Sequence, residues 1–496
     1  MTLPRLNNEN AAKGSARLPA YTPENHGAGI LHLGPGAFHR AHQAIMTDDA
    51  LAQDGGDWRI VGASLRSGKT ADSLNAQNGR YTVIERGGGG TSARVVGAIE
   101  RVVASDPLAV LDTLCSPSIR IVTLTVTEKG YGIDLANRAP DTSNPIVVSD
   151  LTSHDDPQGV LGLLTTAASR RKAAGLSPLT VLSCDNLPEN GKLLRAGVVG
   201  FARLSGRGDL AEWIEDSMAF PCSMVDRITP APTQATIDDA MKATGCEDRA
   251  AVETEPFIQW VIEDSFPSGR PAWEAGGALF VADVTPYERM KLTMLNGSHS
   301  LLAYSGFLLG RQYVRDVMTD PDLAWLVRRH LKAAAALLPD LDGVDFGNYA
   351  DDLTDRFANP AIAHETFQIA TDGTQKLPQR IFSPALAALA SGQDVRPFAF
   401  ATAMWIRFCL GKRDDGAAYD LPDVRAKELT EAIARCTPDA PALSKAIHSL
   451  PNLIPQDLAS NAIWRDHVEN TLSRVLQHGC RVAIQQLIGE EEARLA

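Results

Sequence analysis

One short segment of the chain brings a lysine, an asparagine and a histidine close together. From Lys291 to His299 it reads KLTMLNGSH, and most residues around the three polar ones are apolar. At about 100° per residue, an α-helix would place Lys291, Asn296 and His299 on one broad side of a helix that is apolar nearly all round. Burial lowers the pKa of a lysine, which would suit it to exchange a proton with a substrate oxygen. The segment therefore predicts an acid/base lysine; the alternative is a lysine whose ammonium reaches water, beside core polar residues that satisfy each other.

A second polar group directly follows the apolar run 179–184. Its sequence is Ser183-Cys184-Asp185-Asn186. Ligands in open α/β sheets bind outside the carboxyl ends of the strands, so we expect Asn186 to face a cofactor crevice. An Asp-Asn pair after a strand also commonly forms a plain turn.

A glycine turn stands between a predicted strand and a predicted helix. The segment 34–39 reads GPGAFH. Gly34 would allow a tight turn, and Gly36 would let the backbone approach a pyrophosphate closely. His39 stands where a complete dinucleotide motif has its third glycine. We expect Gly34, Gly36, Ala37 and Phe38 to bind a nucleotide, with an ordinary turn as the alternative.

The segment after the second predicted strand contains no carboxylate. From Ala63 to Lys69 it reads ASLRSGK. An Asp or Glu normally holds the adenosine ribose hydroxyls at this place, whereas Arg66 and Lys69 would suit a 2′-phosphate. The segment thus predicts tolerance of NADP, or it is a solvated basic loop; the residues leave both interpretations open.

Apolar runs and helical periodicity predict the elements that position these residues. The predicted strands are 29–33, 58–63, 81–85, 120–126, 179–184 and 280–284. The predicted helices are 39–53, 160–174, 193–204, 323–338, 385–390 and 463–487. Strands that alternate with helices favour a parallel α/β sheet, and the glycine run 87–90 favours a hairpin tip or flexible loop. Strand signals fade after Pro286, which predicts a domain boundary near residue 285.

Composition excludes several classes of protein. The chain has 496 residues and a net charge of −13, so we expect two domains and no nucleic-acid partner. No apolar run approaches the length of a membrane span, and residues 1–28 lack the apolar stretch of a secretory signal, so we expect a cytoplasmic protein.

Seven cysteines without a CxxC pair predict free, mostly buried thiols. The histidines of 32–42 show no HExxH spacing, and we expect no metal site there.

Several stretches together resemble the mannitol dehydrogenase family, the polyol-specific long-chain dehydrogenases. They are GPGAFHRAHQ (34–43), TVTEKGY (125–131), SCDN (183–186), MVDRI (224–228), EPF with WVIED (255–264) and the K-x-x-x-x-N-x-x-H pattern (291–299). The resemblance implies a Rossmann-type dinucleotide-binding domain over 1–285 and a mostly α-helical substrate domain over 286–496, with the active site between them. It also implies metal-independent hydride transfer with NAD(H), and NADP(H) remains an alternative.

The same resemblance assigns roles to six residues. They are Lys291 as the catalytic acid/base, Asn186 and Asn296 as the pair that holds the reacting oxygen, His299 as a substrate-positioning residue, and Glu288 and Glu128 as acids on the proton path between the lysine and solvent. These roles fit an alcohol oxidation, which needs a base for the proton and donors for the developing alkoxide.

One further segment points to a subgroup of the family. From Thr366 to Arg380 it reads TFQIATDGTQKLPQR, which is similar to the fructuronate reductase (D-mannonate oxidoreductase) subgroup. Mannitol dehydrogenases tend to carry an Arg where this chain has Gln368. A keto-uronate carboxylate needs a cation, and we expect Lys376 and Arg380 near His299 to bind it. A helix would place both on one face, whereas Pro378 favours a loop, and Arg380 would alternatively form a surface salt bridge.

Three functions remain open at this point. The leading hypothesis is the interconversion of D-mannonate and D-fructuronate. The second is a dehydrogenase of mannitol, sorbitol or arabinitol. The third, a sugar or nucleotide sensor without catalysis, is disfavoured because Lys291, Asn296, His299 and Asn186 are all present. We expect a monomer or small homo-oligomer that acts on a small molecule and contacts no membrane.

Overall fold

The computed structural model of the chain describes residues 3–7, 10, 14–65, 67–341 and 343–495. It divides into two compact units, Met1–Thr285 and Pro286–Ala496. Arg66, which the sequence suggests for a 2′-phosphate, lies outside the described residues.

The described residues of the N-terminal unit form thirteen strands. They are β1 (Ala28–Leu33), β2 (Arg59–Ser64), β3 (Tyr81–Gly87), β4 (Gly90–Val96), β5 (Ile99–Ala104), β6 (Ile121–Leu124), β7 (Ile133–Asp134), β8 (Ala139–Pro140), β9 (Thr180–Ser183), β10 (Ser223–Asp226), β11 (Val252–Thr254), β12 (Gln259–Glu263) and β13 (Leu279–Val281). Five of them form the main sheet in the order β5-β2-β1-β6-β9, and every pair in it is parallel. The predicted Rossmann-type sheet is confirmed.

Helices cover both faces of this sheet. They are Ala37–Ala41, Gln43–Asp54, Lys69–Asn75, Pro107–Leu114, Pro145–Thr152, Val160–Ala173, Asn190–Leu204, Gly208–Ser217 and Gln234–Thr244, with 3₁₀ turns at Pro23–Asn25, Glu128–Gly130 and Trp273–Gly276. Alternate residues of β1 enter two different cores: Leu31 and Leu33 pack in one, and Ile30 packs in the other. This alternation is what a strand buried on both faces requires.

Two sequence-based expectations for this unit need correction. The run 81–85 does not join the parallel sheet, because β3 and β4 form an antiparallel hairpin in which Gly87 lies opposite Gly90, and β11 pairs with β3. The glycine run is therefore a hairpin tip, as predicted. The expected helix 39–53 is two helices, because the backbone at His42 (φ −132°, ψ −90°) leaves the helical region between Ala41 and Gln43.

Helices make up the C-terminal unit, as predicted. Its α-helices are Thr285–Met290 at the boundary, Gly297–Leu308, Val314–Met318, Pro321–Ala335, Phe346–Phe357, Thr366–Ile369, Gly373–Leu377, Ser383–Ser391, Arg396–Phe408, Ala426–Ala434, Ala440–His448, Gln456–Ala459 and Ala462–Leu495. Two π-helical segments, Lys291–Asn296 and Pro378–Phe382, interrupt the series. The last helix is broken at Gly479, whose φ is 82°.

All seven cysteines are free, and five of them are buried, which confirms the predicted thiols. Across the described ranges, we find no helix of the length and apolarity that a membrane crossing requires. The same residues contain no group of three or more His, Cys, Asp or Glu side chains placed to hold a metal ion.

Candidate active site

The turns that carry the predicted nucleotide-binding residues leave the sheet at one edge. The backbone N–H of Gly34 bonds to β2 at 2.9 Å, that of Thr125 bonds to β1 at 2.9 Å, and that of Cys184 bonds to β6 at 2.8 Å. These bonds continue the parallel register by one residue beyond each strand. The segments after β1, β6 and β9 therefore start side by side at the carboxyl edge of the sheet, where open α/β sheets bind ligands.

The glycine turn after β1 requires a glycine at its first position. Gly34 has a φ of 92°, and a Cβ atom there would lie 2.2 Å from the carbonyl oxygen of Thr125. Around Gly36 the space is open, since a Cβ atom on that residue would lie 3.8 Å from its nearest neighbour. Backbone is thus exposed at the second glycine, as close approach of a pyrophosphate requires.

The buried His32 takes part in the hydrogen bonds that fix the carbonyl group of Gly34. His32 on β1 contacts the hydroxyl of Thr125 through Nε2 at 2.9 Å, and Thr125 donates to the carbonyl oxygen of Gly34 at 2.7 Å. The ring of His39 stacks on His32 with 3.4 Å between centroids. Burial lowers the pKa of His32 to about 3, so its ring is neutral at physiological pH. His39, at the third-glycine position, therefore packs within the fold beside the turn.

A cavity of about 460 Å³ opens beside the glycine turn. It begins at Gly34, Ser64 and Thr125, at the ends of β1, β2 and β6. Apolar side chains such as Val126 and Leu161 line its deeper part. Its size and mixed lining are typical of a small-molecule pocket, and its position fits a dinucleotide at the carboxyl edge.

The segment after β2 begins at this cavity. Ser64 and Leu65 line it, and the hydroxyl of Ser64 donates to the carbonyl oxygen of Ser67 at 2.7 Å. Lys69 is exposed and begins the helix Lys69–Asn75. Lys69 therefore occupies a helix start, where the sequence favoured a loop.

Asp185 connects the segments after β6 and β9. Its carboxylate accepts hydrogen bonds from the backbone N–H of Val126 at 2.9 Å, from that of Thr127 at 3.3 Å and from the hydroxyl of Tyr131 at 2.7 Å. Tyr131 is buried and also lies 2.6 Å from the hydroxyl of Ser183. Burial raises the pKa of Asp185, and these hydrogen bonds oppose that rise by favouring the carboxylate.

Thr127 adopts a backbone conformation that non-glycine residues avoid. Its φ is 65° and its ψ is 161°. Such a conformation costs about 1–3 kcal/mol and persists only where the surrounding structure enforces it. The next residue, Glu128, is exposed and begins the 3₁₀ turn Glu128–Gly130. Asn186 is also exposed and follows Asp185 in the bend after β9.

The predicted lysine lies in a π-helical segment of the C-terminal unit. Lys291 is 8% exposed, so most of its side chain is buried. The regular α-helix expected from the sequence is wrong, because Lys291–Asn296 bonds in the π pattern before Gly297–Leu308 continues as an α-helix. The wider turn brings Lys291 and Asn296, five residues apart, nearer to each other around the axis than α-helical spacing would.

Close packing accompanies this wider turn. A Cβ atom at Gly297 would lie 2.8 Å from Nε2 of His330 and 3.1 Å from the carbonyl oxygen of Arg380. The hydroxyl of Thr293 donates to the carbonyl oxygen of Arg289 at 2.8 Å, which takes up a backbone acceptor at the irregular turn. Glu288 is half-buried and lies three residues before Lys291 in the preceding helix.

His299 lies among positively charged side chains. It is 8% exposed, and its Nε2 atom has no hydrogen-bond partner among the described residues. Its ring packs 4.6 Å from Phe357 and 5.6 Å from His364 between centroids. Burial holds the pKa of His299 well below its usual value, and the nearby charges add to this shift. The cationic neighbours are Arg380, Arg356 and Lys291, and the adjacent ring of His364 shifts the pKa in the same direction.

Lys376 and Arg380 lie on one continuous helical segment. The helix Gly373–Leu377 leads into the π segment Pro378–Phe382, so the loop favoured by Pro378 is wrong. Pro378 has no N–H to donate to the preceding turn, and the segment continues past it in the π pattern. Lys376 donates to the carbonyl oxygen of Ile369 and to the hydroxyl of Thr371, both at 3.2 Å.

Arg380 points inward within its unit. Its guanidinium donates to the hydroxyl of Ser300, one residue after His299, at 3.4 Å. Burial lowers its pKa, and the opposing contribution comes from Tyr304. The surface salt bridge considered for Arg380 is therefore wrong.

Comparison with known proteins decides the family. The mannitol dehydrogenase Rossmann domain matches residues 28–275, and the mannitol dehydrogenase C-terminal domain matches 283–475. The chain belongs to the mannitol dehydrogenase family. It is an oxidoreductase of that family, and the resemblance seen in the sequence is confirmed.

Individual relatives cover nearly the whole chain. An uncharacterised oxidoreductase of Escherichia coli, YeiQ, is 41% identical over 94% of this chain and 96% of its own length. The D-mannonate oxidoreductase of the same organism is 38% identical over 92% and 95%. The structure of Pseudomonas fluorescens mannitol 2-dehydrogenase in complex with NAD and D-mannitol superposes with a TM-score of 0.84 at 35% identity, covering 98% of this chain and 99% of that one.

Three residues of the candidate site, Arg356, His364 and Asp185, could not be identified as site residues from the sequence. Arg356 lies in an ordinary amphipathic helix, and His364 lies in a connecting segment, so neither stands in a recognisable pattern. Asp185 stands out in the sequence only as the neighbour of Asn186. Its position directly after a buried strand is the available signal, since polar residues there lie at the ligand-binding edge.

Proposed function

We propose that the protein is an NAD(H)-dependent oxidoreductase that interconverts D-mannonate and D-fructuronate. The observation that carries the proposal is the set of cationic side chains around His299 in the C-terminal unit. Lys291, Arg356 and Arg380 all act electrostatically on His299, and Lys376 acts on the adjacent His364. A substrate carboxylate would complement the positive charge of this set, whereas a neutral polyol brings no charge to it.

Arg380 is the cation best suited to bind this carboxylate. Burial disfavours its charged form, as its lowered pKa indicates. A bound carboxylate would offset that penalty and would accept two parallel N–H bonds from the guanidinium. Lys376 would contribute as a second cation from the preceding helical turn, and the imidazole of His299 would orient the sugar hydroxyl groups.

Lys291 is the proposed acid/base. In ketone reduction its ammonium would donate a proton to the substrate oxygen, and in alcohol oxidation its amine would accept one. The amides of Asn186 and Asn296 would donate hydrogen bonds to that same oxygen and stabilise its developing charge. When bound, the nicotinamide cofactor supplies or accepts the hydride. The lysine and amides supply the proton and oxygen contacts that a Lewis-acid metal would supply elsewhere, so we propose that dialysis against EDTA leaves activity intact.

Two carboxylates are proposed for the exchange of the Lys291 proton with solvent. Glu288 lies one helical turn before Lys291 and is half-buried. Glu128 is exposed after the strained Thr127. A carboxylate near each end of a proton path could pass protons in either direction of the reaction.

NAD(H) is the proposed cofactor, and Gly34, Gly36, Ala37 and Phe38 are the proposed turn that binds its pyrophosphate. The Pseudomonas relative is a complex with NAD. The 63–69 segment contains no carboxylate to reject a 2′-phosphate, so we also propose that NADP(H) is tolerated.

A polyol dehydrogenase is the second candidate. The Pseudomonas complex holds D-mannitol, and its identity to this chain is close to that of the D-mannonate oxidoreductase. Gln368, on the helix Thr366–Ile369, stands where mannitol dehydrogenases tend to carry an Arg, so this position favours the first candidate.

Initial rates on matched substrates separate the two candidates. The assay measures NADH and NADPH oxidation with D-fructuronate and D-fructose, and NAD reduction with D-mannonate and D-mannitol. We expect kcat/KM for fructuronate to exceed that for fructose by about 10²-fold or more, because the carboxylate of fructuronate would form an ion pair with the guanidinium of Arg380 and fructose has no such group. Higher kcat/KM on mannitol than on mannonate would assign the protein to the polyol dehydrogenases.

A further inference from the structure

The carboxylate of Asp185 has no role in the chemistry described above, yet it lies between two segments that do. One segment follows β6 and leads to Glu128; the other follows β9 and contains Asn186. Asp185 receives hydrogen bonds from the first segment at Val126, Thr127 and Tyr131, at 2.9, 3.3 and 2.7 Å. It therefore cross-links neighbouring strand ends directly at the edge where the ligand is expected.

The backbone of Asp185 is fixed as firmly as its side chain. Its carbonyl oxygen accepts from the N–H of Leu187 at 2.8 Å and from the side-chain amide of Asn190 at 3.1 Å. Asn190 is buried and exchanges hydrogen bonds with the backbone of Ser223 on β10, at 2.7 and 3.0 Å. Asn186 thus projects from a bend that is held on both sides.

The strained residue lies on the other side of the same carboxylate. Thr127 has a φ of 65°, and its N–H is one of the three donors to Asp185. A strained conformation next to a functional residue persists only when surrounding contacts enforce it. The bonds to Asp185 and the buried Tyr131 are such contacts, and they fix the start of the turn that carries Glu128.

We propose that Asp185 is a positioning residue that locks the segments after β6 and β9 together and so places Asn186 and Glu128 for the reaction. This inference rests on the proposed function of those two residues. Asp185 itself contacts neither substrate nor cofactor in this scheme. Its contribution is the fixed geometry of the oxygen donor and of the proton path, to which rates are very sensitive.

The Asp185→Asn variant tests the proposal. It keeps the shape of the side chain but replaces one acceptor oxygen by a donor, so the three donors can no longer all be satisfied. On the substrate that the wild type turns over fastest, we expect kcat to fall about 10²-fold. The dissociation constant of NADH, measured by fluorescence, should stay within about twofold. Wild-type kcat in this variant would overturn the proposal.

A double-mutant cycle distinguishes positioning from a general structural role. In a background that lacks both positioned side chains, Asn186→Ala with Glu128→Gln, adding Asp185→Asn should lower kcat by no more than about twofold. A full additional loss of about 10²-fold would show independent effects and overturn the proposal. If Asp185→Asn does not fold, the milder Tyr131→Phe variant replaces it in the same cycle. This variant removes the Tyr131 hydroxyl but keeps the bonds from the N–H groups of Val126 and Thr127 to Asp185.

Asp248→Asn is the matched control. Asp248 is a buried carboxylate that likewise accepts from two backbone N–H groups, those of Thr82 at 2.6 Å and Ala250 at 2.9 Å. We expect this variant to lower the melting temperature and keep kcat. An equal loss of kcat in both variants would mean general loosening and overturn the proposal. Wild-type turnover in Asn186→Ala would reject the roles of Asn186 and Asp185 while leaving the oxidoreductase assignment intact.

Discussion

Lys291 is the residue on which the proposed chemistry depends most. It is buried in a π-helical segment, an arrangement that is rare and frequently found at functional sites. Lys291→Ala should leave NADH binding nearly unchanged and lower kcat by about 10²–10⁴-fold, because the reacting oxygen loses its acid/base. Stopped-flow hydride transfer with NADH and fructuronate measures this. Lys242→Ala, at an exposed lysine paired with Asp239, is the control, and wild-type kcat in Lys291→Ala would reject the assignment.

Arg380 is the residue that should separate acids from neutral sugars. Arg380→Ala removes the buried guanidinium that donates to Ser300, so a substrate carboxylate loses its main ion-pair partner. We expect KM for fructuronate to rise at least about tenfold, while KM for fructose changes little. Arg435→Ala, at an exposed arginine, should change neither constant. Equal increases in KM on both substrates would show that Arg380 only supports the fold.

Single residues were predictable where their pattern is local. The spacing of Lys291, Asn296 and His299, together with the apolar residues around them, was enough to select them as candidates. Arg356 and His364 were not predictable, because their relation to His299 arises from tertiary packing. A buried arginine on an amphipathic helix has no local signature that distinguishes it from an exposed one.

At the scale of elements, strands were easier to predict than irregular helices. The run 29–33 is β1 almost to the residue, because a strand buried on both faces is continuously apolar. The two π-helical segments were not predicted, since a pattern of apolar residues does not distinguish one widened turn from an α-helix. Next to the first of these segments, Lys291–Asn296, Gly297 packs closely against His330 and Arg380. This packing is visible only in the folded structure.

The turn after β1 provides a test at the same scale. Gly34→Ala would place a methyl group 2.2 Å from the carbonyl oxygen of Thr125, so the turn must move. We expect the affinity for NADH to fall at least about tenfold, because the proposed pyrophosphate contact depends on that backbone. Gly175→Ala is the control: φ there is 64°, but no atom lies within 4 Å of the added methyl. If both variants bind NADH as the wild type does, the turn does not carry the nucleotide.

At the scale of the whole molecule, buried neutral histidines predict a dependence of stability on pH. Burial lowers the pKa of four of them: His32 to about 3, His330 to about 4, and His39 and His299 well below the usual value. Below pH 6.5 the unfolded chain binds protons that the folded chain does not. Each such histidine therefore contributes stability above pH 6.5 that is lost at about 1.4 kcal/mol per pH unit as pH falls towards its folded pKa.

Urea unfolding at pH 7.0, 6.0 and 5.0 measures this dependence. We expect the free energy of unfolding to fall with decreasing pH, and the slope to decrease by about one proton in the His32→Asn variant. Unfolding free energies that do not change between pH 6.5 and 5 would contradict the neutral, buried state of these rings.

In the proposed reaction, Lys291, Asn186 and Asn296 all contact the same substrate oxygen. A crystal structure of the protein with NADH and D-mannonate, a pair that cannot react, tests it most directly. We expect one substrate oxygen within about 3.2 Å of Nζ of Lys291 and of the side-chain amides of Asn186 and Asn296. The substrate carboxylate should form an ion pair with Arg380 or Lys376. A carboxylate that points into solvent, or a reacting oxygen beyond the reach of Lys291, would contradict the account.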